Sequence, residues 1–178
     1  MTDERVQQVL TDTATYEFNL SMGLIVLSVL YGVVRYSLQC PGLKSFEHAE
    51  KRGQEFKLKL LDVLEKAGVR IDENGSFCDM ENLAAIMAMR RDNTYSFKLD
   101  SMDVMIIHGL LSIKEMYPGD LQLKDPEAYA GVLVALRDWC ALCFMQMGFT
   151  SEEVEYMNTV LVDAPGYIAG TEIMHVQD

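Results

Sequence analysis

Lysine and arginine run out at Arg137, and the chain from there to Asp178 holds neither. Residues 99–178 carry 13 acidic side chains against Lys114, Lys124 and Arg137, a net of −10, whereas residues 1–98 carry 14 against 12, a net of −2. With three cations against 13 acidic side chains, the C-terminal half repels a phosphate backbone, so direct nucleic-acid binding is not expected of it. A field of this sign attracts basic protein surfaces and raises encounter rates; it also serves solubility.

Cysteine and proline are scarce, at four each. Four cysteines in 178 residues are no disulfide framework. The N-terminus, MTDERVQQVL, lacks the basic and apolar regions of a secretory leader, and neither end carries a lipidation motif. The expected compartment is the reducing cytoplasm, where the sequons Asn19-Leu-Ser21 and Asn74-Gly-Ser76 are chance matches. P-loop, GxGxxG and GxSxG motifs are all missing, which removes support for nucleotide, dinucleotide and acyl-transfer chemistry. No repeat with a period of about 20–50 residues is present. With 49% hydrophobic and 24% charged residues, the chain has enough apolar surface to fold.

What is present is helical periodicity. Val6, Val9, Thr13, Tyr16, Leu20, Gly23, Leu27, Leu30 and Val34 step by three and four, predicting one helix over about 3–38 or a helix bent near Ser21-Met22-Gly23. Its apolar stretch, LSMGLIVLSVLYGVV, spans roughly 22 Å as a helix, short of the roughly 30 Å of a bilayer core. A central core helix is therefore expected, with Ser28 and Gly32 letting a neighbour approach. A second helix over about 45–67 has the seam Phe46, Ala49, Gly53, Phe56, Leu60, Val63 and Ala67, and Gly68 as its stop. On its outer side Glu47, Glu55 and Asp62 each stand four residues before a lysine. VRIDENGSFC over 69–78 predicts a hairpin around Asn74-Gly75, and NTYSFKLD a further short strand. A helix beginning at Asp79 or Asn82 is expected between them. Others are expected over 101–117, ended by Pro118-Gly119-Asp120, over 126–147, and from Thr150 or Ser151 to about Val162. The fold class is mainly α: a single domain over 1–178, a compact bundle of five or six helices with a small β-hairpin near residues 70–78. Residues 163–178 are expected as a tail packed through Tyr167, Ile168 and Ile173.

Motifs with chemical potential reduce to structural readings. The loop around Gly75 partly resembles an EF-hand calcium loop, since Asp72, Asn74 and Glu81 match ligand positions. Arg70 stands where the first carboxylate belongs, so no calcium site is inferred. Cys140-Ala-Leu-Cys143 lies late in an apolar helix at core spacing, away from the helix start that lowers a thiol pKa. Glu172 and His175 have the Glu-x-x-His spacing of di-metal bundles, but that motif is needed twice. His108 sits in the apolar run MDVMIIHGLLSI and reads as a hydrogen-bonded core histidine. No cofactor, metal site or catalytic set is expected. The functional expectation is a non-enzymatic protein-binding module of the inhibitor or immunity type. It would cover a basic or nucleic-acid-binding protein with Glu152, Glu153, Glu155, Asp163 and Glu172, without membrane binding, and self-association is compatible with its apolar helix faces. Twelve methionines support an alternative, a Met-rich pocket for a small apolar ligand or lipid.

Overall fold

Apolar residues at helical spacing need a neighbouring face to cover them, and the helix Leu24–Ser37 obtains one on nearly every side. A computed structural model describes residues 1–39, 47–113 and 126–159. Among these are seven helices: α1 (Asp3–Asp12), α2 (Leu24–Ser37), α3 (Glu47–Ala67), α4 (Met80–Met89), α5 (Ser101–Leu111), α6 (Pro126–Met147) and α7 (Ser151–Thr159). Two strands, β1 (Phe18–Met22) and β2 (Tyr95–Leu99), form an antiparallel pair. In α2, Leu27, Leu30, Tyr31, Val33 and Val34 are buried, and Ile25 is its one exposed residue. It packs on α3, α5 and α6, and α5 in turn packs on α6. The Leu24–Val34 part of the apolar run is thus a core helix, as expected, while Leu20–Met22 belongs to β1.

The mainly α class and the small hairpin are as expected. The N-terminal periodicity, however, does not make one helix. The chain leaves α1 at Thr13, whose hydroxyl donates to the Val9 carbonyl at 2.8 Å, and Ser101 of α5 donates to the Thr13 carbonyl at 2.7 Å. FNLSM also reads with period two: Phe18, Leu20 and Met22 are buried while Asn19 and Ser21 face out. Its partner YSFKL supplies the ladder, with Phe18 opposite Leu99 and Met22 opposite Tyr95. A strand wins because β2 offers both hydrogen bonds and cover. The Ser21–Ser96 hydroxyl contact at 2.7 Å and the Lys98–Glu17 pair at 2.9 Å line its outer face.

The hairpin at 70–78 is a single Ile71–Phe77 bridge closed by the five residues Asp72 to Ser76. Gly75 N–H donates to the Asp72 carbonyl, and Asp72 N–H to the Ser76 carbonyl, both at 2.9 Å. Asn74 does not adopt the positive φ that its Asn-Gly pairing suggests; Gly75 alone does, at φ 80°. The Asp72 carboxylate explains this by accepting from the backbone of both Asn74 and Ser76, which holds Asn74 in an ordinary conformation. Tyr31 of α2 donates to the Gly75 carbonyl at 2.9 Å, and Arg35 to that of Asn74 at 3.0 Å.

Close helix approach occurs at a different glycine from the one expected. A side chain at Gly32 would meet nothing within 4 Å, whereas a Cβ on Gly53 of α3 would stand 2.8 Å from Leu38 Cδ2. Gly32→Ala should therefore stabilise the protein by up to about 1 kcal/mol through helix propensity. Gly75→Ala should cost about 1–2 kcal/mol for its left-handed backbone alone. It should cost more because its Cβ would lie 2.9 Å from Tyr31 Oη. Chemical denaturation of the two variants checks both signs; a destabilised Gly32→Ala would show that α2 is more tightly covered there.

Candidate functional site

Within the acidic half, α6 and α7 form a helical hairpin, α6 returning through a short turn into α7. Leu133, Leu136, Cys140, Cys143 and Met147 form the buried seam of α6, as their spacing predicts. Gly148 ends the helix at φ 94°, with Phe149 N–H donating back to the Phe144 carbonyl. Thr150 and Glu153 then cap α7 reciprocally. Glu153 N–H donates to Thr150 Oγ1 at 3.2 Å, and Thr150 N–H to the Glu153 carboxylate at 2.8 Å. Val154 and Met157 are buried, which turns the opposite side of α7 outward.

The acidic residues named from the sequence divide accordingly. Glu152 and Glu155 are exposed, with Tyr156 beside them at 55% exposure and Thr159 one turn further on. Steps of three and four place these side chains on one face. Glu153 points inward: Arg5 of α1 donates to it at 2.9 and 3.2 Å. The same guanidinium donates to the Gly148 carbonyl and lies 5.6 Å from the Phe149 ring centroid. The hydrogen bond from Arg5, then that from the Thr150 backbone, holds the Glu153 carboxyl below its usual range. Its charge is thus committed within the molecule. Asp163 and Glu172 lie outside the described residues, as do the Glu172/His175 pair and the expected tail.

Arg137 is also internal. At 8% exposure it reaches from α6 to the last turn of α7 and donates to the carbonyls of Met157 (3.3 Å) and Asn158 (2.7 Å). Against it stands His108 of α5, its Nε2 3.2 Å from Asn158 Oδ1 and its ring edge-on to Phe144 at 5.0 Å. Burial, opposed by the Asn158 bond and reinforced by Arg137, lowers the His108 pKa to about 4. At neutral pH it is an uncharged core residue. The hydroxyl of Ser112 donates to the His108 backbone carbonyl, not to its ring. Cys140 and Cys143 are buried; burial raises both thiols, Cys143 to about 11, so they stay protonated. Among the described residues no group of three or more His, Cys, Asp or Glu side chains is placed to hold a metal ion.

The outer side of α6 is a feature the sequence reading did not separate. Val134, Leu142 and Met145 are exposed, at 50%, 64% and 47%, together with Asp138 and Glu127. Over Glu127–Met147 the helix is long and apolar enough to cross a membrane by length and composition, yet only a third of its most apolar window is buried. A cleft of about 140 Å³ opens between β1 and α6, lined by Glu17, Phe18, Asn19, Trp139, Cys143 and Gln146. No family model, curated protein or solved structure matches the chain.

His108 makes stability depend on pH. Its folded pKa is below its unfolded value, so its contribution is complete above about pH 6.5 and is lost as pH falls toward 4. Between pH 7 and pH 5 the protein should lose about 2 kcal/mol that His108→Gln does not lose. Urea denaturation at the two pH values measures the difference; equal losses would place the histidine in a solvated setting.

Proposed function

We propose that the protein is a non-enzymatic binding module that docks on a basic protein surface through the outer side of its C-terminal helices. It would act as an inhibitor or immunity-type protein does when it covers a basic site. The observation that supports this is the distribution of charge. Arg137, the one cation in α6 and α7, is buried, while Glu152 and Glu155 stand exposed with Tyr156 on the same face. A tyrosine framed by carboxylates combines a stiff, amphipathic anchor with electrostatic steering. The reading now rests on Glu152 and Glu155 rather than Glu153, which Arg5 already occupies.

Among the described residues, a Met-rich ligand pocket has less behind it. The cleft of about 140 Å³ has no methionine in its lining, and pockets for drug-sized ligands run to roughly 300–1,000 Å³. Several methionines instead face outward, Met80, Met89 and Met145 among them.

The test pairs Glu152→Lys with Glu155→Lys and leaves Glu153 intact, so that the α1–α7 clamp survives. A partner captured from the native host at low ionic strength should associate with the double variant about tenfold more slowly than with the parent. Its on-rate should also depend less on salt, with thermal stability unchanged. Stopped-flow or surface-based kinetics across a salt series measures this. A partner whose on-rate ignores both the substitutions and the salt contradicts the reading.

A further inference from the structure

We infer that the exposed side of α6 is a docking surface for a basic amphipathic helix of a partner protein. This rests on the basic-partner reading above and deepens it, by naming the element that α6 receives. Glu127, Gly131, Val134, Asp138, Leu142 and Met145 are all exposed, and at helical spacing they fall within about a quarter of the helix circumference. Three large apolar side chains thus form a stripe carrying two carboxylates and no cation. Glu127 and Asp138 stand eleven residues apart, which is about three turns, or roughly 16 Å. Gly131 lies between them, and nothing stands within 4 Å of where its Cβ would be, so a neighbouring backbone has room to approach.

This pattern selects its occupant by charge as well as by shape. An apolar helix side alone would bury the Asp138 carboxylate without a partner, at a cost. A helix with apolar residues along one side and two lysines or arginines three turns apart covers the stripe and pairs both acids. A second copy of this chain is a poor match among the described residues. The exposed side of α3 has a single large apolar residue, Leu58, and alternates Lys51, Lys59 and Lys66 with Glu55, Asp62 and Glu65, while α4 exposes Met80 and Met89 but has Arg91 beside Asp92. The acidic face likewise disfavours an anionic lipid surface.

Fluorescence anisotropy with two synthetic helical peptides tests the inference on the full chain. Both carry leucines along one side; one has lysines three turns apart, the other glutamates at those positions. The lysine peptide should bind about tenfold tighter or better, and Asp138→Lys should invert that preference. Leu142→Ser combined with Met145→Ser should weaken binding about tenfold or more. Met89→Ser, which removes a still more exposed methionine elsewhere, should change nothing. Equal binding of the two peptides overturns the inference, as does equal sensitivity to Met89→Ser. A dimer in sedimentation that Leu142→Ser dissolves, or vesicle binding that the same substitution abolishes, assigns the face to another occupant and overturns it too. The charge reversal on α7 probes the general reading separately. Loss of peptide preference with that effect intact would reject this surface and leave the basic-partner reading standing.

Discussion

The buried guanidinium of Arg137 determines how the C-terminal half is built. Placing a cation where it is almost wholly covered costs desolvation, and the offset comes from carbonyls at the end of α7, where the helix dipole favours positive charge. Donation to Met157 and Asn158 fixes the end of α7 against the middle of α6, and Asn158 is thereby brought to His108. The start of α7 is fixed by a second cation, Arg5, through Glu153 and the Gly148 carbonyl. With both ends of α7 tied from within, the polar groups left on its outside include the carboxylates of Glu152 and Glu155 and the side chain of Tyr156. The surface of the hairpin is acidic because its one cation faces inward.

Much of this architecture was legible in the sequence. Gly68 and Gly148 stop their helices, Asp79 and Asp100 cap α4 and α5, and the seam of α6 is buried at its predicted positions. The N-terminal segment differs from its helical expectation because Leu20 satisfies both a helical and an alternating pattern. The deciding factor was a strand more than seventy residues away, and no local periodicity reports such a partner. The Asn74-Gly75 turn was located but its geometry was not, since the Asp72 side chain, not residue preference, sets the backbone.

The candidate surface was less legible. Glu153 was named with its neighbours on charge alone, although Thr150 three residues before it is a capping-box signature that could have marked it as internal. Val134, Leu142 and Met145 look like core residues, and only the packing of α6 against α5 and α7 shows which sides remain uncovered. Tyr156 carries no signal of its own in the sequence; the structure shows it exposed beside two carboxylates.

In the proposed reading, the link from fold to function runs through the anchoring of α7, because a helix already held in place loses less conformational freedom when a partner docks on it. Hydrogen–deuterium exchange of Arg137→Met measures that anchoring most directly. Amides over 151–159 should lose protection while those of the buried α2 keep theirs, because the substitution removes the donor to the α7 carbonyls and leaves the central core packed. Unchanged protection over 151–159 would contradict the account and show that α7 is held by its apolar contacts alone.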